Sequence, residues 1–142
     1  MRGAGSEKAA INGGATSLYI ASANGHLDVV RELLTRGANI EAATNFGATS
    51  LLIASQNGHL AVVRELLARG ANANAAFNTG STPLIMASSN GHVDIVRALL
   101  AAGADKRRVD NNGATATSCA GAAAGVKPAA KAAVLALLAA AP

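Results

Sequence analysis

Three histidines, His26, His59 and His92, recur at one fixed interval, and imidazoles in register are the commonest raw material of a metal site. A shared ion fails on distance, however. Zinc takes its nitrogens at about 2.0–2.1 Å, whereas neighbouring helices in a stack lie about 8–10 Å apart. Each histidine is therefore expected to sit in a turn and bond to backbone, and no metal is expected. The acids fare no better as catalytic groups, because Asp28, Glu32, Glu41 and Glu65 are dispersed along the chain. No serine or cysteine lies in a motif that would give it an activating histidine, and the glycines punctuate turns without forming a phosphate loop. Cys119 is the sole cysteine, which rules out an internal disulfide and a cysteine-based zinc site within one chain. The residues predict a protein that is not an enzyme and carries no cofactor.

The elements that position the histidines are repeats. The segment Asn24-Gly25-His26-Leu27-Asp28-Val29-Val30-Arg31-Glu32-Leu33-Leu34 opens a block ending at Asn39 that returns at Asn57 to Asn72 and at Asn90 to Asp105. The step is 33 residues, since Gly25, Gly58 and Gly91 are in register with the histidines that follow them. A second block keeps the same step: Gly14-Ala15-Thr16-Ser17-Leu18, Gly47-Ala48-Thr49-Ser50-Leu51 and Gly80-Ser81-Thr82-Pro83-Leu84. Repetition in register at such a period marks an array of stacked units.

Read together, the blocks give G-x-T-[SP]-L-x-x-A-S-x-x-G-H, followed by a leucine pair and G-A-[ND], and this unit resembles the ankyrin repeat. The resemblance implies an all-α solenoid of stacked helix-turn-helix repeats joined by hairpin-like finger loops, and a role in protein binding. Repeats fall at about 11–43, 44–76 and 77–109, with a degenerate terminal repeat at 110–142, and residues 1–142 are expected to form a single domain. Tyr19, Leu52 and Ile85 stand where the family pattern usually carries the histidine of Thr-Pro-Leu-His, so apolar packing is expected to replace that residue's inter-repeat hydrogen bond.

Within each unit the threonine is expected to cap a first helix of about seven residues, its hydroxyl accepting from an otherwise unpaired amide. Pro83 suits the first helical position of the third unit. The first helix should bury Leu18, Ala21 and Ser22, and their counterparts Leu51, Ala54, Ser55, Leu84, Ala87 and Ser88. The second helix should bury Val29, Val30, Leu33 and Leu34, which have helical spacing, and end at Gly37, Gly70 and Gly103. Asp28 and Arg36 complement the helix dipole, and Glu32–Arg36 and Glu65–Arg69 are spaced to pair. In the fourth unit Thr117 replaces the first-helix leucine, the Gly-His pair is lost, and the leucines slip to Leu137 and Leu138, which predicts a longer last helix starting near Pro128. Cys119 occupies the slot of Ile20, Ile53 and Met86 and is expected to be a buried small hydrophobe. Residues Ala4 to Ala10 align with the end of a preceding repeat, which would make the chain a piece of a longer array.

The totals agree with a thin, repetitive core. A chain of 142 residues with 2% aromatic content and no Trp leaves no room for a catalytic domain beside the repeats. The net charge is +4, and the basic residues are spread out apart from Lys106-Arg107-Arg108. Nucleic acid is not expected as a partner, because no aromatic residues are interleaved to stack on bases. The start of the chain, from Met1 to Lys8, lacks an apolar core for a secretory signal, so the cytoplasm or nucleus is expected. The apolar run from Ala129 to Ala141 is shorter than the roughly 20 residues of a membrane span.

Function is expected where the family leaves positions variable, at the finger tips and the exposed side of the first helices, which together line the concave face. These positions are Asn12, Gly13, Ala15, Ala23 and Asn24; Asn45, Phe46, Ala48, Gln56 and Asn57; and Asn78, Thr79, Ser81, Ser89 and Asn90. Phe46 is the one large apolar group among them, with Phe77 nearby, and an exposed aromatic is a favoured anchor. Asparagine is also a good turn residue in its own right. The sequence thus predicts a monomeric module that binds a protein partner, with no small-molecule substrate. The alternatives are a regulatory or targeting segment of a larger enzyme or channel, and weak polyanion binding through the basic last unit.

Overall fold

A threonine starts each unit. In the computed structural model, which describes residues 16–140, the Thr16 hydroxyl accepts from the Tyr19 amide at 3.1 Å and opens α1 (Ser17–Ala23). Thr49 does the same for Leu52 at the start of α3 (Ser50–Asn57), and Thr82 for Ile85 at the start of α5 (Pro83–Ser89). Each cap satisfies an amide that the first helical turn leaves unpaired. A Gly-His turn then reverses the chain into α2 (Leu27–Thr35), α4 (Leu60–Ala68) and α6 (Val93–Ala101). No strand occurs among the described residues, so the fold is an all-α stack of helix pairs.

Packing follows side-chain size. Ala21 and Ser22, Ala54 and Ser55, and Ala87 and Ser88 are all buried, and such small residues let α1, α3 and α5 approach one another more closely than α2, α4 and α6 do. Leu51, Leu66, Leu84, Leu99, Val63 and Val96 fill the continuous core between the layers.

The serine hydroxyls in this layer carry a cost. Ser22, Ser55 and Ser88 are fully buried, and none of their Oγ atoms has a hydrogen-bond partner among the described residues. An unpaired buried hydroxyl loses its hydration without compensation, while alanine has nearly the same shape and a better helix propensity. Ser55→Ala is expected to raise stability by about 1 kcal/mol, read as a higher midpoint in urea. An unchanged or lower midpoint would mean that the hydroxyl finds a partner.

One apolar position departs from its expected place. Val29 is 48% exposed, whereas Val62 and Ile95, at the same point of the next two units, are buried. Val62 and Ile95 have a described unit in front of them, and Val29 belongs to the first helix pair of the described stack. Leu33 and Leu34 are half-buried against the core. The segment Ala4 to Ala10 lies outside the described residues.

The fourth unit is built differently. Its first helix is the four-residue α7 (Ala116–Cys119), closed by a reciprocal pair in which Ser118 N–H donates to Thr115 Oγ1 and Thr115 N–H donates to Ser118 Oγ. Thr117 is exposed, and Cys119 is half-buried where a buried residue is expected, as are Ile20, Ile53 and Met86 in the same slot of the other units, so the slot itself is only partly covered. The long last helix α8 (Pro128–Ala140) starts at Pro128 and packs Val134 and Leu138 against the core. Lys106 Nζ donates to the Leu138 carbonyl at 2.7 Å, a cation placed on the orphan carbonyls of the helix end.

Ion pairs decorate the outer helices. Glu65 of α4 accepts from Arg31 of α2 at 3.1 Å, linking two units, and from Arg69, at the C-terminal cap of α4, at 2.9 Å. These hydrogen bonds hold the Glu65 carboxyl below its ordinary range. The linkage is present above the ordinary carboxyl pKa and is lost as pH falls through the lowered value of the folded state. The expected Glu32–Arg36 pair is also present.

Candidate functional site

The histidines show how the units are joined. His59 Nε2 lies 2.9 Å from the carbonyl of Ala23, the last residue of α1, and His92 Nε2 lies 3.0 Å from the Gln56 carbonyl of α3. Each ring reaches back one unit and serves a carbonyl that its own helix leaves open. The glycine before each histidine makes room for the next ring, since a Cβ at Gly25 would stand 2.6 Å from His59 Nδ1 and one at Gly58 2.8 Å from His92 Cε1. In the fourth unit the Ala123 backbone amide donates to the Ser89 carbonyl at 3.0 Å and takes the histidine's place. Val126 fills the space over Gly91. Among the described residues no group of His, Cys, Asp and Glu could hold a metal ion.

The fingers are stitched in the same way. Each closes on itself, with Thr44 N–H donating to the Ala48 carbonyl, Phe77 N–H to Ser81 and Asp110 N–H to Ala114, at 2.9–3.0 Å. Asn78 donates from its backbone to the Phe46 carbonyl at 2.8 Å and from Nδ2 to the Asn45 carbonyl at 3.0 Å. Asn111 repeats both bonds to Thr79 and Asn78 at 2.8 and 3.0 Å. The tips thus form one ladder.

These bonds sort the residues of the expected surface into two sets. Asn57 Nδ2 donates to the Ala23 carbonyl and Asn90 Nδ2 to the Met86 carbonyl, both at 2.9 Å, and Asn78 is held as described, so their amide groups serve the scaffold. Asn45 contributes its carbonyl to the ladder. Among the described residues, the side chains of Phe46, Gln56, Thr79, Ser81 and Ser89 make no hydrogen bond and remain available. Ala48 is only 2% exposed and does not belong to the surface, its amide and its carbonyl both being bonded to Thr44. Asn12, Gly13 and Ala15 lie outside the described residues. Sequence reasoning missed the scaffold bonds of the asparagines, although their strict recurrence at Asn45, Asn78 and Asn111 carried the signal.

Phe46 is the most exposed large apolar side chain of the surface, at 69%. Its backbone is pinned on both sides: its N–H donates to Thr44 Oγ1 at 3.3 Å, and its carbonyl accepts from Asn78. The ring is therefore carried by a fixed main chain. Tyr19, by contrast, is half-buried, and burial raises its phenol pKa, while Leu52 and Ile85 at the same position are buried.

Stacked helix pairs with a common period, turns joined across units and fingers laddered on one edge define a solenoid repeat protein. The chain belongs to the ankyrin-repeat family: a family model described as ankyrin repeats (3 copies) matches residues 4–77 and 51–139. A search of curated proteins finds no match. Ankyrin repeats are generally protein–protein interaction modules, and the fold is a non-enzymatic interaction fold. No helix among the described residues is long and apolar enough to cross a membrane.

Proposed function

We propose that the chain binds a partner protein on the surface made by the finger tips and the first helices, with Phe46 as anchor and Gln56, Thr79, Ser81 and Ser89 as polar contacts. The observation that carries this reading is the exposure of Phe46 on a finger whose backbone is held at both ends. An apolar ring left in water and already ordered gains on burial without a large loss of freedom. Asn45, Asn57, Asn78 and Asn90 border the surface and keep it in shape, and Asn12 would extend it by one finger. The whole chain acts in this reading as one interaction domain of four units. Polyanion binding through the last unit has less support, since Lys106 is engaged with Leu138 and Arg107 and Arg108 lie 3.6 and 3.9 Å from Asp105.

Phe46→Ala is expected to weaken binding of a partner captured with the wild-type chain by tenfold or more, about 1.4 kcal/mol, the range of an aromatic anchor. Titration calorimetry reads the affinity, and circular dichroism should show unchanged helicity. Arg64→Ala, on the outer helix α4, should leave the affinity as it is. Equal affinity of wild type and Phe46→Ala would remove the finger surface from the interaction.

A further inference from the structure

The charges of the protein are segregated. Helices α1, α3, α5 and α7 contain no charged residue, while every second helix contains at least one. The finger tips continue the pattern: residues 44–48 and 77–81 are uncharged, and the exception in the fourth finger, Asp110, turns its carboxylate to the Asn112 and Ala114 amides at 2.8 and 2.9 Å. A face of this extent with Asp110 as its single formal charge contrasts with a chain that carries 12 basic and 8 acidic residues.

A charged segment laid on such a face would surrender hydration with almost no counter-charge to meet it, which disfavours its binding. An uncharged segment meets what the face offers: the Phe46 ring for an apolar side chain, and the Gln56, Thr79 and Ser89 side chains for amide and hydroxyl groups. We infer that the partner presents to this surface an uncharged segment with an apolar side chain for Phe46, and that its binding is nearly independent of salt. This inference rests on the proposed function for the location of the surface, and adds the chemistry of the occupant from the near absence of formal charge on the face.

The test uses the full chain to select binders from a displayed library of random dodecapeptides, followed by affinity measurement of the synthesised winners. The expected winners have net charge near zero and an aliphatic or aromatic residue. Their Kd should change by less than about twofold between 50 and 500 mM NaCl, since only screened charge pairs respond to salt. Phe46→Ala should weaken them about tenfold, and Gln56→Lys and Gln56→Glu should both weaken them about fivefold or more, because either charge would be buried unpaired. Winners that are acidic, lose more than tenfold in high salt and gain affinity from Gln56→Lys would overturn the inference while leaving the surface in place. Winners indifferent to all three substitutions bind elsewhere, which overturns the proposed surface as well.

Discussion

Leu66→Ala is expected to destabilise the protein by about 2–5 kcal/mol, the range for truncating a fully buried leucine when the surroundings cannot collapse into the space. Leu66 is fully buried in α4, and α4 packs against α2 on one side and α6 on the other. A helix of nine residues has little stability of its own. Its loss would uncouple the first unit from the third and fourth, since each unit of a solenoid is held by its neighbours. The expected signature in urea is a lower midpoint together with a broader, less cooperative transition. Val29→Ala, in an apolar slot that is half-exposed, should shift stability by no more than about 0.5 kcal/mol. Similar losses for the two variants would contradict the burial on which the packing account depends.

Gly80→Ala is the second large effect, and it separates the joints between fingers from the core. Gly80 has φ +86°, a left-handed backbone that costs a residue with a Cβ about 1–2 kcal/mol. A Cβ there would also stand 2.9 Å from Asp110 Cα and 3.0 Å from the Asn111 amide nitrogen. Those are backbone atoms, so the fourth finger must move away and the Asn111 bonds to Thr79 and Asn78 must break. Gly113 provides the control, for it has φ +81° and a Cβ added to it would meet nothing within 4 Å. Gly113→Ala should therefore cost only the backbone term, about 1 kcal/mol, and Gly80→Ala at least about 2 kcal/mol more, through the added loss of two hydrogen bonds. Hydrogen exchange should show the Asn111 amide losing its protection in Gly80→Ala. If the two variants are equally stable, the finger ladder contributes nothing.

The parts of this fold that are legible in the sequence are those determined within one unit. Thr16, Thr49 and Thr82 cap helices through a bond that spans three residues, and Leu18, Leu51 and Leu84 follow from helical spacing. Pro128 announces α8 for a similarly local reason. What is not legible are the bonds that cross between units. The ring of His59 serves Ala23, 36 residues away, and Asn78 serves Asn45, 33 residues away. Such pairings leave only the recurrence of the letters as a trace, and recurrence alone does not say which carbonyl is served. Burial at the start of the stack escapes the sequence for a related cause, because Val29 and Val62 are the same letter in the same slot with different neighbours.

The candidate surface divides along the same line. Residues that recur at every step, such as Asn78 and Asn111, carry scaffold bonds through their side chains, whereas Phe46 and Thr79 differ at one position and take part in the ladder only through their backbone. Variation between units therefore points to available groups more directly than residue type does. The charge-free first helices extend this reading, since a helix needs no charge to pack and the second helices show that this chain tolerates many.

The most direct test of the interaction surface is a map of backbone amide shifts in the isotope-labelled chain, titrated with the tightest-binding selected dodecapeptide. The expected changes concentrate at Phe46, Gly47, Gln56, Thr79, Ser81 and Ser89, with α2, α4 and α6 largely unmoved. Changes centred on the outer helices around Arg31, Arg64 and Arg97, with the finger tips silent, would contradict the account.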